Sequence, residues 1–198
     1  MSFFAFETFY WSLHIDTNTF QADSRYSYVN GGPGNIVSGL VWLAAGIMAA
    51  QTDLKAGFAV LFFGGMLIFP ISYVIVRFVF KRPEPKPGNP SGRIVMETIF
   101  PMIGGLLGAW LILPYRPEFV FPLAAIAVGA HFFGFMTAYG NWMFWGLGAV
   151  ICIVGVASIF WGVLKSDAVP FVVAGIELAF GTALTFTGLK QRREEEMN

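Results

Sequence analysis

Apolar residues run along this chain in long unbroken stretches, separated by short polar breaks. Six stretches stand out, over 35–51, 56–80, 94–113, 119–139, 142–164 and 169–189. Roughly 20 apolar residues in a helix match roughly 30 Å of hydrocarbon, so each is long enough to cross a bilayer. The pattern predicts an all-α, polytopic bundle of six transmembrane helices. It divides the chain into an N-terminal interfacial segment (1–34), the bundle (35–189) and a short tail (190–198).

Before the first span, Phe3, Phe6, Phe9, Tyr10 and Leu13 recur at helical spacing, with Glu7 and Ser12 between them. This predicts a short amphipathic helix lying in the interface. The segment lacks a basic n-region and a small-residue cleavage motif, so it does not read as a signal peptide. Next, Tyr26 and Tyr28 lead through Asn30, Gly31, Gly32, Pro33 and Gly34 into Asn35, Ser38 and Trp42. The glycines suit a sharp turn into the first span. Asn35 and Ser38 are candidates to line a polar entrance.

Composition agrees with this reading. Charged residues are 12% of the chain, against about 25% in ordinary soluble domains. The lone cysteine, Cys152, excludes an intrachain disulfide and reads as a small packing residue. The formal net charge is zero, but the basic residues are unevenly placed. Arg25, Arg77, Lys81, Arg82, Lys86, Arg93, Lys190, Arg192 and Arg193 fall on one side of a six-span arrangement. Lys55, Arg116 and Lys165 fall on the other. Short loops rich in Lys and Arg stay inside, which predicts a cell-membrane protein with both termini cytoplasmic. The loop KRPEPKPGNPSGR, over 81–93, is too proline-rich for regular helix. It separates two groups of three spans. A duplicated half of three spans would insert upside down, although the halves show no residue-level match.

Small residues mark where membrane helices approach one another. Candidate packing ladders are Gly104 and Gly108, beside Gly105 and Ala109, in the third span. The fourth span offers Ala130, Gly134 and Ala138, and the sixth Gly175, Ala179 and Ala183. Ionisable groups within a bilayer are costly and usually turn inward. Arg77 and Glu97 lie at similar depth near one face and form a candidate structural ion pair. Snorkelling of Arg77, with Glu97 at its own helix start, is an equal alternative. His131 and Glu177 lie nearer the middle, at depths differing by roughly 6 Å at about 1.5 Å rise per residue. With Tyr139, Ser38 and Trp42, they are candidates for a site that takes a small polar solute or a proton. Two neutral, backbone-bonded groups explain His131 and Glu177 equally well.

The stretches VNGGPGNIVSGLVWLAAG and AVGAHFFGFMTAYG resemble motifs in a family of uncharacterised bacterial multi-pass membrane proteins, a domain of unknown function. The resemblance implies the same fold over most of the chain and no assigned activity. It draws attention to Gly34, Ser38, Trp42 and His131.

Other chemistry has no sequence support. There is no HExxH, Walker loop, Rossmann fingerprint or GxSxG. His14 and His131 are too far apart in the chain's layout for a bis-histidine haem, and no lysine lies mid-span for a retinal Schiff base. No metal or cofactor is implied, and the few basic residues are explained by topology rather than by nucleic-acid binding. Two classes remain ahead of a membrane enzyme. One is a small transporter or channel. The other is a non-transporting sensor, assembly or structural factor in the lipid bilayer, and either class admits a homo-oligomer.

Overall fold

The computed structural model describes residues 17–195, with side chains through Lys190. The amphipathic helix predicted around Phe3–Leu13 lies outside the described residues. Those described form seven α-helices and no strand. The first, α1 (Thr17–Ser27), is short and polar. The others are α2 (Gly32–Gln51), α3 (Leu54–Val74), α4 (Ser91–Ile112), α5 (Val120–Tyr139), α6 (Met143–Trp161) and α7 (Val169–Glu195). Six helical stretches are long and apolar enough to cross a membrane. The chain is therefore an all-α, multi-pass membrane protein in contact with lipid.

Local chemistry sets the helix limits. The Asp53 carboxylate caps α3 by accepting from the Ala56 amide at 2.7 Å. Pro33 sits in the first turn of α2, where its missing N–H costs nothing. Helices α5 and α6 each end on a left-handed glycine, Gly140 and Gly162, both at φ 60°. Before α2, Val29, Asn30 and Gly31 all have positive φ. This unusual turn is held by the Asn30 side chain, which donates to Thr187 and accepts from Asn141, both at 3.1 Å.

Helices α2 and α5 are the inner elements. The first packs against α3 and α7, and the second against α4 and α6. Helices α3 and α4 are peripheral. Exchanging α2 with α5, α3 with α6 and α4 with α7 maps these four packed pairs onto one another. The remaining contact, α6 against α7, has no counterpart of similar extent between α3 and α4.

Glycine sets the close approach of α2 to α7. A Cβ on Gly39 would meet the Leu178 side chain at 2.9 Å, and one on Gly181 the Ile36 amide nitrogen at 2.8 Å. Farther along, Gly46 faces Phe171, and Gly188 faces Val29. These glycines recur every seven residues, at 32, 39 and 46 on α2 and at 181 and 188 on α7. The two helices run antiparallel with backbones in near contact.

This corrects the ladder expected in the sixth span. Gly175, Ala179 and Ala183 are exposed, while Glu177, Gly181, Leu184 and Gly188 are buried. A heptad drifts only about 20° around a helix, so seven-residue notches stay on the α2 seam. In the third span, Gly105 faces Ala127 and Ala109 is buried, but Gly104 and Gly108 have no neighbour. The fourth-span ladder runs from an exposed Ala130, through Gly134 against Thr98, to a buried Ala138.

A polar cap closes the end of the bundle formed by α1, the 139–142 turn and the 81–90 strap. Arg25 donates to the Tyr139 carbonyl at 2.5 Å, and Gln21 to that of Thr137 at 2.9 Å. Asn89 donates to Asp23 at 2.6 Å, and Ser91 to the Ala138 carbonyl at 2.9 Å. The opposite end holds an open cavity of about 580 Å³, lined by Asp53, Leu54, Lys55, Trp110, Leu113, Pro114 and Pro117.

Candidate membrane-embedded polar site

Asn35, Ser38 and Trp42 are spaced to share one face of α2, and all three are buried. That face meets α7 where Glu177 points inward at 0% exposure. The Ser38 hydroxyl and Trp42 indole are the polar groups facing its carboxyl. Neither meets it in full hydrogen-bond geometry, and Oε1 and Oε2 are both buried without a bonded partner. The Asn35 amide nitrogen is likewise buried and unpartnered. Its backbone adjoins Gly181, one turn along α7 from Glu177. No described cationic side chain forms an ion pair with Glu177.

Aromatic rings separate this site from the open cavity. Trp42 packs on Phe121 at 6.4 Å, Phe121 on Phe58 at 6.2 Å, and Phe58 on Trp110 at 5.5 Å. Trp110 lines the cavity, while the other three rings are buried. Toward the capped end stand the Asn30 knot and the cluster of Phe135, Tyr139 and Phe144.

His131 does not join Glu177. It lies between α5 and α4, where Nδ1 is 2.7 Å from the Thr98 hydroxyl and its ring packs edge-on against Phe135. Residue count set the two groups at one level, but the helices carrying them turn them into different seams. Tyr139 is a member of the capped-end cluster, stacked on Phe135 and adjoining Gly31. Of the five residues expected at one site, the structure brings together Ser38, Trp42 and Glu177.

The expected Arg77–Glu97 pair is not formed. Arg77 instead makes two bonds to Glu84, at 2.8 and 3.0 Å, and Glu97 pairs with Arg93 on its own helix. The strap folds back along the end of α3, so Glu84 reaches Arg77 first. Tyr73 also donates to Glu84 at 2.5 Å. Tyr73, then Arg77, hold the Glu84 carboxyl below its ordinary value. Burial pushes the nearby Tyr28 hydroxyl up, against the opposing charge of Arg77.

Asn35 belongs with the site because its spacing from Ser38 and Trp42 follows the helix repeat. Arg82, Glu84 and Thr98 carried no comparable signal, since their roles depend on the fold of the strap and on the α4–α5 seam. Cys152 packs against Gly129. Among the described residues, no group of three or more His, Cys, Asp or Glu converges as a metal site.

A family model described as a family of unknown function, DUF7010, matches residues 17–187. The chain belongs to the DUF7010 family. No curated protein and no solved structure matches it. Membership in DUF7010 brings no activity or site residues with it, so the chemistry of the Glu177 seam has to be argued from its own groups.

Proposed function

We propose that this DUF7010 protein is a small carrier in which Glu177 binds and releases a proton or a small cationic solute. The supporting observation is the Glu177 carboxyl itself, fully buried and with neither oxygen hydrogen-bonded. A bare carboxylate so deep in a membrane is costly. A proton or a cationic donor removes that cost, and the unpartnered Asn35 amide offers a second contact to a solute lying along the seam. Aromatic packing on the cavity side and the polar cap on the other side suit an occluded state. The interchangeable pairing of the two three-helix groups suits alternating access, in which one group rocks against the other.

The test is proton movement in proteoliposomes holding an internal pH dye, driven by an imposed potential. Wild-type protein should move protons, and Glu177→Gln should stop them while melting as a folded protein. Asn35→Ala should slow the flux. Equal flux in the wild type and Glu177→Gln refutes the carrier role of this carboxyl. If wild-type protein moves no protons, the same vesicles are tested for uptake of small labelled amines.

The second reading is a non-transporting membrane factor. Gly104 and Gly108 favour it, because they face outward on α4 with no neighbour, as at a helix seam with another protein. Crosslinking of a Gly104→Cys variant in membranes, with no flux of protons or amines, supports this reading over the carrier.

A further inference from the structure

Arg82 follows the end of α3 at the capped face and is only 3% exposed. Its Nη2 donates to the Gly188 carbonyl at 3.1 Å, and its guanidinium lies 4.4 Å from the centre of the Tyr26 ring. Nε and Nη1 are buried and have no partner. The guanidinium carries a positive charge. Neighbouring carboxylates are occupied elsewhere: Glu84 by Arg77 and Tyr73, and Asp23 by Asn89 and the Lys86 amide. No described carboxylate pairs with Arg82.

A second orphan lies beside it. The Ser27 hydroxyl is buried without a partner. Arg77 Nη1 donates to both the Ser27 and the Arg82 carbonyls, at 2.9 and 3.1 Å, which holds the two backbones side by side. The unfilled positions on Arg82 are all N–H donors, and the Ser27 hydroxyl can donate as well. Donors around an uncompensated positive charge call for an oxyanion. Phosphate suits them, because its several oxygens accept from guanidinium and hydroxyl groups together.

The level of the site points to the source. Arg82 stands just past Phe78 and Val79, which are exposed in the π-helical turn Ile75–Val79 that continues α3. Acyl chains cover such residues, and headgroups lie at the helix end. The strap that carries Arg82 starts at Lys81, whose φ of 53° is disfavoured for a residue with a side chain.

We propose that Arg82, with Ser27 and Tyr26, binds a phosphate group, supplied by the headgroup of an anionic phospholipid or by free phosphate.

The experiment uses the full chain, stripped of lipid in maltoside micelles, which contain no phosphate. Phosphatidylglycerol or inorganic phosphate is then added. Native mass spectrometry counts the bound adduct, and tryptophan fluorescence follows melting. Wild-type protein should retain an adduct and melt at a higher temperature with at least one addition. An effect of phosphatidylglycerol alone assigns the headgroup, and an effect of inorganic phosphate assigns free phosphate. Arg82→Gln should lose the adduct, while Arg82→Lys and Ser27→Ala should bind several-fold more weakly. Should Arg82→Gln not fold, the latter two variants carry the comparison. No adduct on the wild type, or equal retention by the wild type and every folded variant, overturns the proposal.

Discussion

Thr98 and His131 tie α4 to α5, with the hydroxyl and Nδ1 2.7 Å apart. The same hydroxyl lies 2.8 Å from the Val95 carbonyl, one turn back on α4. A hydroxyl has a single hydrogen. With that hydrogen on Val95, His131 donates through Nδ1–H and leaves Nε2 as the acceptor nitrogen. The imidazole then acts as a helix clamp.

Breaking the clamp should therefore cost stability. Side-chain hydrogen bonds between membrane helices average about 0.6 kcal/mol and reach about 1.7 kcal/mol. Thr98→Val and His131→Phe should each lower unfolding stability by about 1 kcal/mol in detergent. A double-mutant cycle should return a coupling of similar size. Nitrogen-15 shifts of labelled His131 should report the Nδ1–H tautomer.

The strap should loosen on acidification. Its Glu84 carboxyl is held below the ordinary value of 4.5 by Tyr73 and Arg77. A carboxyl whose folded value is depressed stabilises the fold above its unfolded value, and loses that contribution as pH falls through the folded one. Melting temperature should therefore drop as pH falls from 4.5. Glu84→Gln should melt lower at neutral pH and show a shallower drop over that window. The effect should be small, because Glu84 is largely exposed and solvent screens the pair.

Span number and approximate limits were legible because the bilayer imposes length and apolarity on every crossing helix. Azimuth was not. Residue count places His131 and Glu177 at comparable depth, yet which seam each enters depends on which helices become neighbours. Glu177 could be tied to Gly181 by sequence because both lie one turn apart on the same helix. The Arg77 partner was misassigned because a proline-rich connector reads as solvated chain, whereas here it folds back to deliver Glu84. The sixth-span ladder was misassigned because four-residue and seven-residue repeats of small residues coexist on α7, and only the glycines of α2 select between them.

The orientation of the bundle is testable by thiol labelling. An even number of spans puts both described ends on one side, with the strap. That side carries nine of the twelve Lys and Arg residues, so it should be cytoplasmic. In a Cys152→Ser background, Lys86→Cys should react with an impermeant maleimide only after cells are permeabilised. Lys165→Cys should react in intact cells. The reverse pattern would invert the topology and put the open cavity inside.

The α2–α7 seam gives a further comparison, between two faces of one helix. Gly181 has the Ile36 backbone against it, so added side-chain atoms there must push the helices apart. Gly181→Leu should destabilise by about 1–3 kcal/mol, the usual cost of overpacking. Gly39→Leu should do the same, since Leu178 closes on it from the other helix. On the opposite face, Ala179 is exposed and Gly175 has open space around it. Ala179→Leu and Gly175→Leu should change stability by less than about 0.5 kcal/mol, as at an ordinary exposed position. Thermal and denaturant unfolding of the four variants in one detergent would rank them. Were the Ala179 and Gly175 variants the damaged ones, the helix would be turned the other way, and Glu177 would face lipid rather than Ser38 and Trp42.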